Sequence, residues 1–118
     1  MTERLTRLER IRSEKDFKSL YRNGSRIRGR YFDLVFRPNG LGFSRLAVVV
    51  SKKVGPAVTR NRIKRRMREL FRRNKSICAD PTDVVVVTRP GIVGLATGEL
   101  EAAYFEAVAA MGRKRMLG

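Results

Sequence analysis

Six of the nine residues from Arg60 to Arg68 are cations: Arg60, Arg62, Lys64, Arg65, Arg66 and Arg68. They sit in the segment VTRNRIKRRMRELF, with Lys52 and Lys53 shortly before it. The arginine fork matches phosphate oxygens in two parallel hydrogen bonds, and lysine adds a point charge. If the segment opens a helix, its free backbone N–H groups also suit a phosphate. Without an anion the arrangement is unfavourable. Like charges at i,i+4 repel, and cations near a helix N-terminus oppose its dipole, by about 0.3–1 kcal/mol each. A solvated surface helix would intersperse acids, yet Glu69 is the only one here. A docked polyanion would relieve the repulsion.

Composition agrees. The 118 residues carry 27 Lys and Arg against 11 Asp and Glu, a formal charge of +16, beyond what solubility requires. There is no histidine, and Cys78 is the only cysteine. That excludes an intrachain disulfide, Cys/His zinc sites and Ser-His or Cys-His nucleophilic pairs. Cys78 reads as an inert thiol suited to a reducing cytoplasm. Asp16, Asp33, Asp80 and Asp83 could in principle serve a two-metal nuclease, but they form no motif. Asp16 reads as a helix-capping residue, and Asp80 and Asp83 as loop residues. No apolar run nears the ~20 residues of a membrane span, and the N-terminus lacks the apolar centre of a signal peptide. The chain is therefore expected to bind a nucleic acid rather than to catalyse, away from membranes.

The positioning elements follow from periodicity. Residues 1–118 read as one domain with a basic arm at 1–12. Ser13 and Asp16 resemble a capping box, Phe17, Leu20 and Tyr21 form a helical stripe, and Asn23-Gly24 is a stop. In RYFDLVF, Phe32, Leu34 and Phe36 alternate with Tyr31, Asp33 and Val35, predicting a strand that ends at Pro38-Asn39-Gly40. LAVVV (46–50) and VVVVT (84–88) predict buried strands. Between them Ile63, Met67, Leu70 and Phe71 give one narrow apolar stripe on a helix capped by Thr59. A last helix starts at a Thr97 cap. The strand–helix–strand passage predicts a parallel pair, and the whole an α+β sandwich of helices on a small mixed sheet.

That scaffold favours structured RNA over DNA. No heptads follow the basic segment, as a basic zipper requires, and a strand rather than a helix precedes it. Phe17, Tyr21, Tyr31 and Val35 can be read as a platform for unpaired bases, or as residues that pin the first helix to the sheet. The residues alone leave both readings open.

SKKVGPAVTRNRIKRRMRE closely resembles the RNR signature of the bacterial ribonuclease P protein subunit. RIRSEKDFKSLYRNG is similar to that family's first helix, and DVVVVTRP to its last strand. The resemblance implies a four-stranded α-β sandwich like a ribosomal-protein domain. It also implies a left-handed βαβ crossover, against the usual right-handed rule. It implies a protein that binds the catalytic RNA and the 5′ leader of precursor tRNA, with Mg²⁺ held mainly by the RNA and no obligate protein partner. Lys52, Lys53, Arg60, Asn61, Arg62, Lys64, Arg65 and Arg68 would face the RNA subunit. Phe17, Tyr21, Tyr31 and Val35 would hold the leader. Val35 stands where an aromatic is expected, and Asp33 would repel leader phosphate or contact a metal ion or base. The rival expectation is a structural RNA-binding protein of ribosomal type.

Overall fold

A computed structural model of the chain describes residues 14–73 and 81–117. The arm at 1–12, the Ser13 cap, Cys78 and Asp80 lie outside the described residues. The order is α1 (Glu14–Asn23), β1 (Ser25–Ile27), β2 (Phe32–Pro38), β3 (Arg45–Val49), α2 (Ala57–Arg73), β4 (Thr82–Thr88) and α3 (Thr97–Leu117). The strands form one mixed sheet in the order β1-β2-β4-β3. β2 is antiparallel to β1 and β4, whereas β3 and β4 run parallel, joined through α2 as expected.

Both sheet faces are covered, for different reasons. Phe32, Leu34 and Phe36 of β2, with Leu46, Val84 and Val86, form the larger core. Against it lie Ile63, Met67, Leu70 and Phe71 of α2 and Leu100, Tyr104, Val108 and Met111 of α3. The α2 stripe is the one the i, i+4, i+7, i+8 spacing predicts, and all four side chains are buried. On the opposite face Leu20 of α1 closes over Val35 and Val85, with Phe17, Ala47, Val49 and Val87 partly buried around them. α1 and α2 therefore flank the sheet from opposite sides.

Local chemistry sets the boundaries. Gly24 ends α1 by donating its N–H to the Leu20 carbonyl at 2.7 Å. A Cβ there would stand 2.6 Å from that oxygen, so only glycine lets the chain turn this tightly into β1. Neither threonine cap occurs where periodicity placed it. α2 starts at Ala57, because the Pro56 carbonyl accepts the first helical bond, from Arg60 N at 3.0 Å. Likewise the Ala96 carbonyl accepts from Leu100 N, and Glu99 reaches back to Ala96 N at 3.2 Å. Thr59 and Thr97 lie inside their helices. Asp83 is strand, not loop: it is buried in β4 and takes Arg45 Nε at 2.8 Å and Nη2 at 2.6 Å. Asp16 also turns to Arg45, at 3.4 Å. Among the described residues no helix is long and apolar enough to cross a membrane.

Candidate nucleic-acid interface

α2 presents its cations because its apolar stripe is spent on the core. Asn61, Arg62 and Arg65 are exposed, while Arg60, Lys64, Arg66 and Arg68 are half-buried. Two of these arginines brace the fold. Arg60 Nε donates to the Gly55 carbonyl at 3.1 Å, and Arg66 Nη2 to the Leu95 carbonyl at 3.0 Å. Glu69, the sole acid of the helix, is held below its ordinary pKa by its hydrogen bond from Arg72 and by Arg73 nearby. It pairs toward the C-terminal turn, with Arg72 and Arg73, rather than with Arg65 and Arg62, four and seven residues upstream. Lys52 and Lys53 are exposed on a single 3₁₀ turn directly before the Gly55-Pro56 entry to α2. The start of α2 is thus a cationic surface on which the Arg62 and Arg65 side chains are exposed.

The α1 side of the sheet is different. The register lays out three rows across it: Arg37, Asp83 and Arg45; then Arg26, Val35, Val85 and Ala47; then Asp33, Val87 and Val49. The middle is apolar and the ends are ionic. On α1, the Phe17 and Tyr21 rings stack at 5.7 Å and 24°. Lys18 and Arg22 line the same shallow depression as those rings. The Arg26 guanidinium lies 5.2 Å from the Tyr21 ring centre. Asp33 Oδ1 accepts from Arg89 Nη2 at 2.7 Å and Gly29 N at 3.2 Å, and Oδ2 faces Arg26 Nη1 at 3.4 Å. Burial alone would raise the Asp33 pKa. The Arg89 and Gly29 hydrogen bonds and the charges of Arg89 and Arg26 outweigh it and hold the carboxyl below its usual range. This face offers stacking rings, an apolar floor and arginine forks, the parts that hold a single strand by bases and phosphates.

A family profile for ribonuclease P matches residues 5–112. The ribonuclease P protein component of Thermotoga maritima is 46% identical over 89 residues, covering 75% of this chain and 76% of that protein. The chain belongs to the ribonuclease P protein family. The component from Syntrophobacter fumaroxidans is 48% identical over 84 residues, covering 70% of this chain and 71% of its own. Among solved structures, a Staphylococcus aureus RNase P protein superposes with a TM-score of 0.83 at 30% identity, covering 89% of both chains. The Thermotoga maritima RNase P protein gives 0.77 at 34% identity, over 85% of this chain and 94% of that one. The chain is accordingly the RNA-binding protein subunit of ribonuclease P, the endonuclease that removes the 5′ leader of precursor tRNA. Its partner is the ribonuclease P RNA. The ribosomal-type alternative is not favoured.

Within the ribonuclease P protein, the eight residues expected to face the RNA subunit all lie on the 3₁₀ turn at Lys52–Val54 and on α2. The four expected leader residues do not stay together. Phe17 and Tyr21 share a groove wall, and Tyr21 is 41% exposed. Val35 is buried at 1% beneath Leu20 and offers no surface for a base. Tyr31 packs against the larger core and lines a cleft with α3, beside Gly91. It occupies the bend before β2, so strand alternation does not govern its direction. Asp33 does not present an unmatched negative charge, because Arg26 and Arg89 flank it. Arg26, Arg45 and Arg89 went unrecognised as site residues. Their partners lie 7, 38 and 56 residues away, beyond any local spacing rule. Lys18 and Arg22 carried a legible signal, since each follows a ring of the i,i+4 aromatic pair.

Proposed function

We propose that the subunit grips two RNAs at once. The α2 surface, with Lys52, Lys53, Arg60, Asn61, Arg62, Lys64, Arg65 and Arg68, docks on the ribonuclease P RNA. The α1 groove, with Phe17 and Tyr21, takes the single-stranded 5′ leader of precursor tRNA. The observation that carries this reading is the placement of α1 and α2 on opposite faces of one sheet, so neither strand blocks the other. Catalysis belongs to the RNA partner, in the cytoplasm. The described carboxylates fit a magnesium ion poorly: Asp33 and Asp83 already accept arginine forks. Among the described residues, no three His, Cys, Asp or Glu side chains converge. In this reading magnesium is held mainly by the RNA partner. The protein's part is electrostatic and positional. Two polyanions repel, and a chain at +16 between them lowers the Coulomb cost of their approach and the magnesium they need.

The test is reconstitution of the purified chain with a bacterial ribonuclease P RNA at low magnesium, following leader release. Cleavage at the mature 5′ end that needs both components is expected. Cleavage by RNA-free protein would overturn the division of labour. Equal affinity for precursor and mature tRNA would overturn the leader groove.

A further inference from the structure

Asp33 is a carboxylate on the face proposed to hold a polyanion, and it is 6% exposed near the start of β2. Its setting explains its presence. Arg26 reaches it from β1 and Arg89 from just beyond β4, and the Gly29 N–H completes its shell. The cluster keeps a net positive charge. Both guanidinium groups still face solvent, since the Arg26 and Arg89 side chains are 35% and 47% exposed. Among the described residues each arginine spends one fork nitrogen on Asp33, which leaves further donors for an incoming anion. Arg26 also covers the Tyr21 ring, which stacks on Phe17. A continuous line runs Phe17, Tyr21, Arg26, Asp33, Arg89, from stacking rings to paired cations.

A free arginine gives up the rotation of a long side chain when it clamps a phosphate. An arginine already anchored has given it up on folding, so its hydrogen bonds to the anion are made with less loss of freedom. We propose that Asp33 is a positioning residue, anchoring Arg26 and Arg89 as a preordered two-armed site for a backbone phosphate of single-stranded RNA whose bases stack at Phe17 and Tyr21. The inference rests on the reading of the α1 groove as the leader site.

Simple charge counting predicts the opposite sign. Removing the Asp33 charge makes the groove more positive and should tighten RNA binding. Preorganisation predicts weaker binding. Asp33→Asn separates the two, because the amide keeps the shape and the Oδ1 acceptor but removes the charge that holds both arginines and turns an N–H donor toward Arg26, which loosens the pair.

The experiment uses the enzyme reconstituted with its RNA. Dissociation constants for precursor tRNA and mature tRNA are measured across a salt series, with thermal melting of each variant. Asp33→Asn is expected to weaken precursor binding about five- to tenfold. It should lower the salt slope of the leader-dependent part by up to about 0.7, one phosphate contact on a single strand. In an Arg26→Ala, Arg89→Ala background it should cause no further loss. Arg89→Lys, which keeps the charge but not the fork, reads the same site if Asp33→Asn melts too low to assay, and should also weaken precursor binding. Tighter or unchanged precursor binding by Asp33→Asn, or wild-type affinity in Arg89→Lys, overturns the inference while leaving the groove intact. A wild-type enzyme with no preference for precursor over mature tRNA overturns the groove reading itself, and is seen before any variant is made.

Discussion

The exposure pattern along α2 allows the two kinds of arginine on it to be told apart by experiment. Arg62 and Arg65 are exposed, whereas Arg66 is half-buried and donates to the Leu95 carbonyl at 3.0 Å. If Arg62 and Arg65 each neutralise one RNA phosphate, each contributes ~0.7–0.9 to the slope of log affinity against log salt. Replacing both by alanine should lower that slope by roughly 1.4–1.8. Between about 50 and 200 mM salt, the wild type should then lose about tenfold more affinity than the double variant. Arg66→Ala should instead register as a stability loss of about 1 kcal/mol, one hydrogen bond to the backbone, with most of the slope kept. The assay is fluorescence anisotropy of labelled ribonuclease P RNA titrated with each protein over the salt series, alongside urea unfolding. A double-variant slope within about 0.3 of wild type would refute phosphate contact at these positions. An Arg66→Ala slope as reduced as that of Arg65→Ala would refute the division between bracing and binding.

Three further outcomes are expected. Phe17→Ala should weaken precursor tRNA by about 1–3 kcal/mol, the value of one stacked base, and mature tRNA by less; direct binding measurements on both would check it. Asp83→Ala should destabilise the fold by about 3 kcal/mol in urea unfolding, because it strands the mostly buried Arg45 and removes an acceptor of the Asn39 amide at 2.8 Å. Because the folded-state pKa of Asp33 is depressed, its contribution to stability is complete above the ordinary carboxylate range and is lost as pH falls through the folded value. Asp33→Asn should therefore flatten the acid side of a stability–pH curve, and a parallel fall in variant and wild type would count against the ion pairs.

Much of this structure was legible because some signals are local. The buried face of α2 follows from four residues at helical spacing, and the parallel β3–β4 pair follows from two apolar runs with a helix between them. Phe17 and Tyr21 share a wall because i,i+4 places them so. What escaped is what depends on distant chain. Nothing near Val35 says that Leu20 will close over it. Nothing near Asp33 names Arg89 as its partner, and without Arg26 and Arg89 beside it the charge implies repulsion of phosphate or contact with a metal ion or base. Tyr31 shows a third kind of limit. Alternation is a property of a strand, and one residue before its start the rule no longer holds. The capping threonines missed by three residues and by one, because the Pro56 and Ala96 carbonyls accept the first helical bonds ahead of them.

The place of β4 in the sheet has a consequence for synthesis. β2 and β3 do not pair with each other; each pairs with β4, which is made last of the four and inserts between them. A nascent chain that has emerged only through α2 therefore holds two strands with no common neighbour and a crowded cationic helix with half its apolar bed missing. Folding of the sheet waits for residues 82–88, and these long-range pairings form slowly compared with local ones. Protease resistance during translation should appear in one step, once Thr88 has cleared the ribosome, rather than growing strand by strand.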